Sequence, residues 1–387
     1  MNGTKAPRFE HGVASGDPHA DSVVLWTRVT PGLPHMQQAL TVVWSVRREG
    51  AEVAERTGSM QTDDSRDWTV KVIVDGLSHS VRYEYSFSSA AVHSPRGRFR
   101  LPPPLGMPLA SLRYAIFSCS SWSSGYFNAY AAAARAPLDF WVHLGDYIYE
   151  NGADGHYGPH GARAVRTSGL QPQTELVTLS DYRARHGLHR QEAELQALSA
   201  ASPLIAVWDD HEIGNDVSSA GPRGGRSDGS WWVRKRSAIR AYHEWMPTRV
   251  RPPPPCVSRP GSVRATADEL ARCEGSHAGE NIFRHFYFGS LAALSVLETR
   301  LLARSRQGVS EATAQISDVV EGWPMEEWAS EPRVLQPLGE LNASWHEVRQ
   351  SPDRQLMGVE QQARPRPCPC PCPRPRPCLR SRRYPWR

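Results

Sequence analysis

His143-Leu-Gly-Asp146-Tyr-Ile-Tyr149 closes one apolar run of this chain, and Trp208-Asp-Asp-His-Glu212 closes another that begins at Pro203. Each segment delivers carboxylates, an imidazole or a phenol to the end of what reads as a buried strand. Open α/β sheets build their ligand sites at that edge, outside the carboxyl ends of the strands. Hard oxygen donors brought together there would hold metal ions able to polarise a phosphoryl group. The residue types therefore point to metal-dependent phosphoester hydrolysis.

The individual residues carry different weights. A lone Gly-Asp pair is usually a turn; the apolar run before it gives Gly145-Asp146 its significance. Tyr149 and Glu150 follow within about one turn, and Cys119, in Phe117-Ser-Cys-Ser-Ser121, ends the preceding run. A bridging carboxylate beside a thiolate and a phenolate suits a trivalent or borderline metal, whose charge the anionic donors neutralise. For Cys119 or Tyr149 taken singly, a buried free thiol or a core tyrosine is the better interpretation.

Asp209-Asp210-His211-Glu212 places four polar groups after a strand. Burying several carboxylates unpaired is expensive, so a cation should compensate them, and a second metal is the simplest candidate. His211 could then give a proton to a leaving oxygen or hydrogen-bond a phosphate oxygen. The competing interpretation is an Asp–His–Asp network that caps a helix. Asn215 and Asp216 extend the cluster, although Gly-Asn-Asp is also ordinary turn chemistry.

The elements that must position these groups fall into two regions. Residues 9–101 read as all-β: 22–29, 40–46, 68–74 and 81–87 are short, β-branched or aromatic, and separated by turn-formers, the spacing of a β-sandwich. The proline-rich stretch 101–108 marks a boundary. From residue 112 the rhythm becomes strand (112–118), helix (127–136), strand (138–144), which implies parallel pairing. A helix is expected over 180–201 with Ser180 as its N-cap, a strand over 203–208, a helix over 231–245 and strands over 283–288 and 292–297. Segments 152–173 and 250–279 read as long loops. The stretch from Arg364 is low complexity, with proline at alternate positions, and reads as extended chain. Its Cys-Pro-Cys-Pro-Cys run has no His and no structural Cys-x-x-Cys pair, so a biased tail outweighs a soft-metal site.

Composition excludes several classes. The net charge of +5 in 387 residues includes eight Arg and no acid in 363–387, so the remainder sums to 5 − 8 = −3. A mildly acidic body gives no reason to expect nucleic-acid binding. No stretch reads as a transmembrane segment, and the first residues carry no apolar signal core. Four of seven cysteines lie in the tail, and Cys119, Cys256 and Cys273 make no disulfide framework. There is no P-loop or Gly-x-Gly-x-x-Gly pattern. Gly225-Arg-Ser-Asp-Gly229 fits Gly-x-Ser-x-Gly, but polar loop stands where the nucleophile elbow needs a strand.

Taken together, the motifs resemble the PhoD-like alkaline phosphatases (alkaline phosphatase D). Phe9-Glu-His-Gly-Val-Ala-Ser-Gly-Asp-Pro18 and Val24-Leu-Trp-Thr-Arg28 are similar to the opening of that family's β-sandwich. Ser118-Cys119, Gly125–Tyr130, His143–Glu150, Asp181-Tyr-Arg183, Trp208–Glu212, Ala241–Pro247 and Glu298-Thr-Arg300 resemble its catalytic domain. The resemblance implies an α+β or α/β chain: an immunoglobulin-like β-sandwich (9–101), a four-layer α/β/β/α metallophosphoesterase domain (112–362) and a disordered tail (363–387). It implies an Fe(3+) and Ca(2+) centre that hydrolyses phosphomonoesters and some phosphodiesters, in a monomer acting on small phosphoesters. By position, Cys119, Asp146, Tyr149 and Asp210 would be metal ligands, with Asp146 bridging, and His211, Asp209 and Asn215 catalytic. The family is usually secreted or at the cell surface. It also carries further ligands in a C-terminal Gly-Asp-x-His segment and a later His, and no such segment follows Gln362 here. The expectation is a truncated or mis-spliced product, with a catalytically impaired relative that acts as a binding protein as the alternative.

Overall fold

The computed structural model describes residues 6–32, 38–153, 165–166, 168–219, 221, 229–249, 282–301 and 304. Its strands are β1 (Val13–Gly16), β2 (Val23–Arg28), β3 (Leu40–Arg48), β4 (Arg56–Thr62), β5 (Thr69–Val74), β6 (Arg82–Ser89), β7 (Val92–His93), β8 (Gly97–Arg100), β9 (Tyr114–Phe117), β10 (Phe140–His143), β11 (Leu204–Ala206), β12 (Arg284–Phe288) and β13 (Ala292–Val296). Its helices are α1 (Asn128–Ala134), α2 (Leu179–Arg190), α3 (Ala193–Ala201) and α4 (Gly229–Trp245).

One six-stranded sheet, ordered β5-β2-β1-β11-β10-β9, organises the molecule. Its β9, β10 and β11 are parallel neighbours, with Phe140 opposite Tyr114 and Trp141 opposite Leu204. The strand–helix–strand rhythm after residue 112 thus yields the parallel pairing it implies. The sheet also runs across the expected boundary: β1 pairs in parallel with β11, Gly16 opposite Leu204. A buried ion pair seals this join. Arg284 clasps both carboxylate oxygens of Asp17 at 3.0 Å and donates to the carbonyl of Ala206.

Alternation along each strand assigns the two faces. Trp141 points to the helical layer, where its ring lies 5.8 Å from Tyr130 of α1, while Phe140 points the other way and stacks on Phe288 of β12 at 4.5 Å. On β2, Trp26 meets Trp245 of α4, and Leu25 enters the core shared with Val42, Tyr85 and Phe99 of the five-stranded sheet β4-β3-β6-β7, with β8 on β6. The helices therefore cover one face. The opposite face is divided between the five-stranded sheet and the β12–β13 hairpin. A strand buried on both faces reads as an unbroken apolar run, which is what Phe-Trp-Val in β10 displays. The described residues thus supply one helical and two β layers of the expected four.

Two local expectations change. The segment 180–201 is two helices, and the first is capped by Thr178. Thr178 accepts the Asp181 N–H at 3.3 Å and Asp181 accepts the Thr178 N–H at 2.7 Å, a reciprocal capping box. The break falls at Glu192, whose extended backbone lets its carboxylate accept Trp122 Nε1 at 2.6 Å and pair with Arg166. A tertiary contact thus overrides helix propensity. The tail, segments 250–279, 338–345 and 354–362, and most of 225–229 lie outside the described residues.

Candidate active site

Because β9, β10 and β11 are parallel and in register, their C-terminal ends share one edge. Cys119 lies two residues beyond β9, Asp146 three beyond β10, and Asp209 three beyond β11. The strand-end loops hold each other: the Cys119 N–H donates to the carbonyl of Gly145 at 3.1 Å, and the Ser120 N–H to that of Asp146 at 2.8 Å. Gly145 has φ of +110°, and a Cβ there would come within 2.3 Å of the Asp209 nitrogen. Only glycine permits that approach. Cys119 and Asp146 themselves adopt positive φ, +58° and +54°. Such conformations in non-glycine residues gather at functional sites.

Side chains converge accordingly. The Cys119 thiol donates to Asp146 Oδ2 at 3.4 Å, and the Tyr149 hydroxyl donates to the same oxygen at 3.3 Å. One ligand atom each from Asp146, Asp210 and His211, all three buried, lies within 4.8 Å of the others. Asp146 Oδ1 is buried with no hydrogen-bond partner among the described residues. An orphaned carboxylate oxygen is a costly arrangement unless a cation meets it. Burial pushes the Asp146 carboxyl up; His211 counteracts this and the neighbouring aspartates add to it. Burial and the charges of Asp146 and Cys119 likewise push the Tyr149 phenol up. Cys119, which is exposed, has its thiol raised by burial and Asp146 despite a hydrogen bond from Ser118.

His211 stacks on Tyr149, rings 4.3 Å apart, and its Nδ1 lies 2.7 Å from Glu150 Oε2. Burial opposes charge on this imidazole, but Glu150 outweighs it and carries the pKa to about 9. Glu150 Oε1 also accepts the Asn215 N–H at 2.6 Å. Asn215 is thereby placed beside the cluster through its backbone. Asp209 is turned elsewhere: Arg300 reaches its Oδ1 and, at 3.1 Å, Oδ1 of Asp210. Among the described residues, a guanidinium pairs with these two aspartates.

Three further residues gain roles that spacing did not reveal. Glu212 is buried, and its carboxylate accepts N–H groups from Asp146 at 3.1 Å, Asp209 at 2.8 Å and Tyr147. It ties the β10 loop to the β11 loop. Burial and the charge of Asp146 raise its pKa to about 8. Replacing Glu212 by Ala leaves two buried and one half-buried N–H group without this partner, so urea denaturation should report a loss of about 3 kcal/mol. A loss below about 1 kcal/mol would remove Glu212 from this role. Glu298 and Arg300 belong to a segment that resembled a family motif but suggested no function. No local pattern marks any of the three, because the decisive partners (Asp146 and Tyr147 for Glu212, Trp208 for Glu298, Asp209 and Asp210 for Arg300) lie far along the chain.

No helix among the described residues is long and apolar enough to cross a membrane. The family model for PhoD-like phosphatases matches residues 114–364, and that for the PhoD-like phosphatase N-terminal domain matches residues 2–103. Alkaline phosphatase D of Bacillus subtilis (strain 168) is 33% identical over 356 residues, covering 88% of this chain and 55% of that protein. A solved structure of PhoD superposes with a TM-score of 0.68 and 35% identity, over 80% of this chain and 55% of that one. The purple acid phosphatase PPD1 from yellow lupin (Lupinus luteus) seeds aligns over 86% of this chain and 50% of its own, at 13% identity and a TM-score of 0.43, too distant to carry an argument. The chain spans about half the length of the relatives it matches (55% in both alkaline phosphatase D and PhoD). With both family models matched in order along the sequence, the chain belongs to the PhoD-like phosphatase family.

Proposed function

We propose that this chain is a metal-dependent phosphoesterase that hydrolyses phosphomonoesters, and some phosphodiesters, at the Asp146–Asp210–His211 cluster. The observation that carries the proposal is the buried Asp146 carboxylate, which groups with Asp210 and His211, has one oxygen without a hydrogen-bond partner among the described residues, and receives Cys119 and Tyr149 on the other. The donor set fits one ion: thiol, phenol and carboxylate together suit iron. Calcium prefers oxygen ligands in larger number, and Asp210, its best candidate, is engaged by Arg300. A bound ion would supply Lewis-acid polarisation and charge neutralisation at a phosphoryl oxygen.

The chain's own residues do the rest. Asp146 would be a central ligand of a bound ion, its carboxylate held at its angle by the left-handed backbone and by Glu212. Glu150 fixes the His211 ring, and Tyr149 covers one face of it, so the imidazole is positioned to hydrogen-bond a phosphoryl oxygen or give a proton to the departing alcohol. Asp209 and Asn215 act through placement, the first on Arg300 and the second on Glu150. We further propose that 9–101 is an immunoglobulin-like unit, that 112–362 is a four-layer phosphoesterase domain, and that the chain works as a monomer on a small phosphoester. The alternative of an impaired relative acting as a binding protein gains no support from the family matches.

Hydrolysis of an aryl phosphate by the purified chain, supplied with iron and calcium, tests this. Turnover is expected in the wild type. Glu150→Gln, which loosens the imidazole without touching the ligands, should lower kcat about 10- to 100-fold with KM little changed. Turnover that survives intact in Asp146→Asn would overturn the proposal.

A further inference from the structure

Arg300 is not a surface arginine that happens to lie near two acids. Its backbone is delivered by Glu298, a buried carboxylate whose Oε1 accepts Trp208 Nε1 at 2.9 Å, the Arg300 N–H at 2.9 Å and the Leu301 N–H at 2.8 Å. Trp208 immediately precedes Asp209, so one carboxylate locks the arginine's segment to the start of the β11 loop. The guanidinium then spans Asp209 and Asp210, with only 13% of its side chain exposed. Asp210 is used on both oxygens: Oδ1 meets Arg300, and Oδ2 accepts the Asp216 N–H at 2.7 Å.

This contrasts with Asp146, whose Oδ1 has no partner among the described residues. The two buried aspartates of the cluster are thus in different states. One has an oxygen without a partner among the described residues, and the other is paired with a guanidinium. A guanidinium cannot lose its proton in a protein, so it is a permanent competitor for any metal that approaches Asp210.

We propose that Arg300 is a built-in cation which holds the second, calcium-side position of the site and makes it bind calcium weakly, leaving Asp146 with Cys119 and Tyr149 to hold a single ion tightly. The proposal rests on the metal-site assignment above and concerns which ions the site accepts. Removing the guanidinium would leave Asp209 and Asp210 as adjacent, uncompensated carboxylates, an oxygen donor pair that calcium satisfies.

The test is calorimetric titration of calcium chloride into the iron-loaded full chain, with iron content measured in parallel. Arg300→Gln should bind calcium at least about tenfold more tightly than the wild type, because a charge that competes for the carboxylates is gone. Arg300→Lys retains the charge and should stay close to the wild type. Damage to the fold lowers affinity, so a gain cannot arise from misfolding. Equal calcium affinity in wild type and Arg300→Gln would overturn the inference, and iron retained in both would show that the Asp146 site stands without it. A wild type that holds no iron would remove both readings together. Calcium binding in the wild type as tight as in Arg300→Gln, at two ions per chain, would show that Arg300 moves aside at no cost.

Discussion

Moving the protein from pH 7 toward pH 4.5 should destabilise it, by about 5 kcal/mol. The cause is a set of histidines buried in neutral form. Burial, reinforced by neighbouring arginines for His11 and His186, lowers the pKa of His11, His143 and His186 from 6.5 to about 3. Neither ring nitrogen of His186 has a hydrogen-bond partner among the described residues. Each folded pKa lies below the unfolded value. The stabilisation is therefore complete above about pH 6.5 and declines as the pH falls through the window toward 3, where the unfolded chain takes up protons that the folded one refuses. Each histidine contributes a slope of up to about 1.4 kcal/mol per pH unit, and Glu212, whose pKa raised to about 8 gives the opposite sign over this window, offsets one of the three, leaving about 3 kcal/mol per unit. Against a typical total stability of about 5–15 kcal/mol, that is a large share. Urea titrations at pH 7, 6 and 5 should show the midpoint falling steeply. His186→Phe keeps an aromatic ring between Tyr147 and Trp245 and should move the acid transition to lower pH. A midpoint that is flat across this range would contradict the assignment.

Asp17→Asn should cost about 3–5 kcal/mol, the loss typical of a buried ion pair with one partner removed. Asparagine preserves the shape and tolerates the left-handed φ of +44° at this position, so the change isolates charge. Arg284 is 5% exposed and would be left uncompensated at the seam between β1, β11 and β12. The Arg249 N–H, which donates to Asp17 Oδ2 at 2.7 Å, would face an altered partner as well. Adding Arg284→Met should restore much of the loss, because a buried pair replaced whole by apolar volume is often near neutral. Denaturation of the two single variants and the double variant measures this. A single-variant cost below about 1 kcal/mol would show that the seam does not depend on the pair.

What could be read from the chain, and what could not, follows from range. Asp146, Tyr149, Asp210 and His211 were visible because polar residues end apolar runs, and a strand that ends there must present them at a sheet edge. Cys119 was visible only through its place after the preceding run. The strands of 9–101 announce themselves by β-branched and aromatic residues, yet β1, Val-Ala-Ser-Gly, is short, buried throughout and without alternation, so nothing local marks it. Its parallel pairing with β11 joins segments far apart in sequence and decides that three N-terminal strands share the sheet that carries the site. The same holds for Arg300. An acid cluster predicts that a cation will come, but the sequence does not say that it is an arginine ninety residues onward. Glu212 looked like a fourth polar residue in a cluster and is a clamp on backbone N–H groups, a role fixed by where the β10 loop passes.

The most direct measurement of the central claim is X-ray absorption at the iron edge on the purified chain after iron loading. The account predicts one bound ion with mixed sulfur and oxygen or nitrogen donors, the sulfur lost in Cys119→Ser and the ion lost in Asp146→Asn. An ion with no sulfur donor in the wild type, or one that survives unchanged in Asp146→Asn, would contradict it.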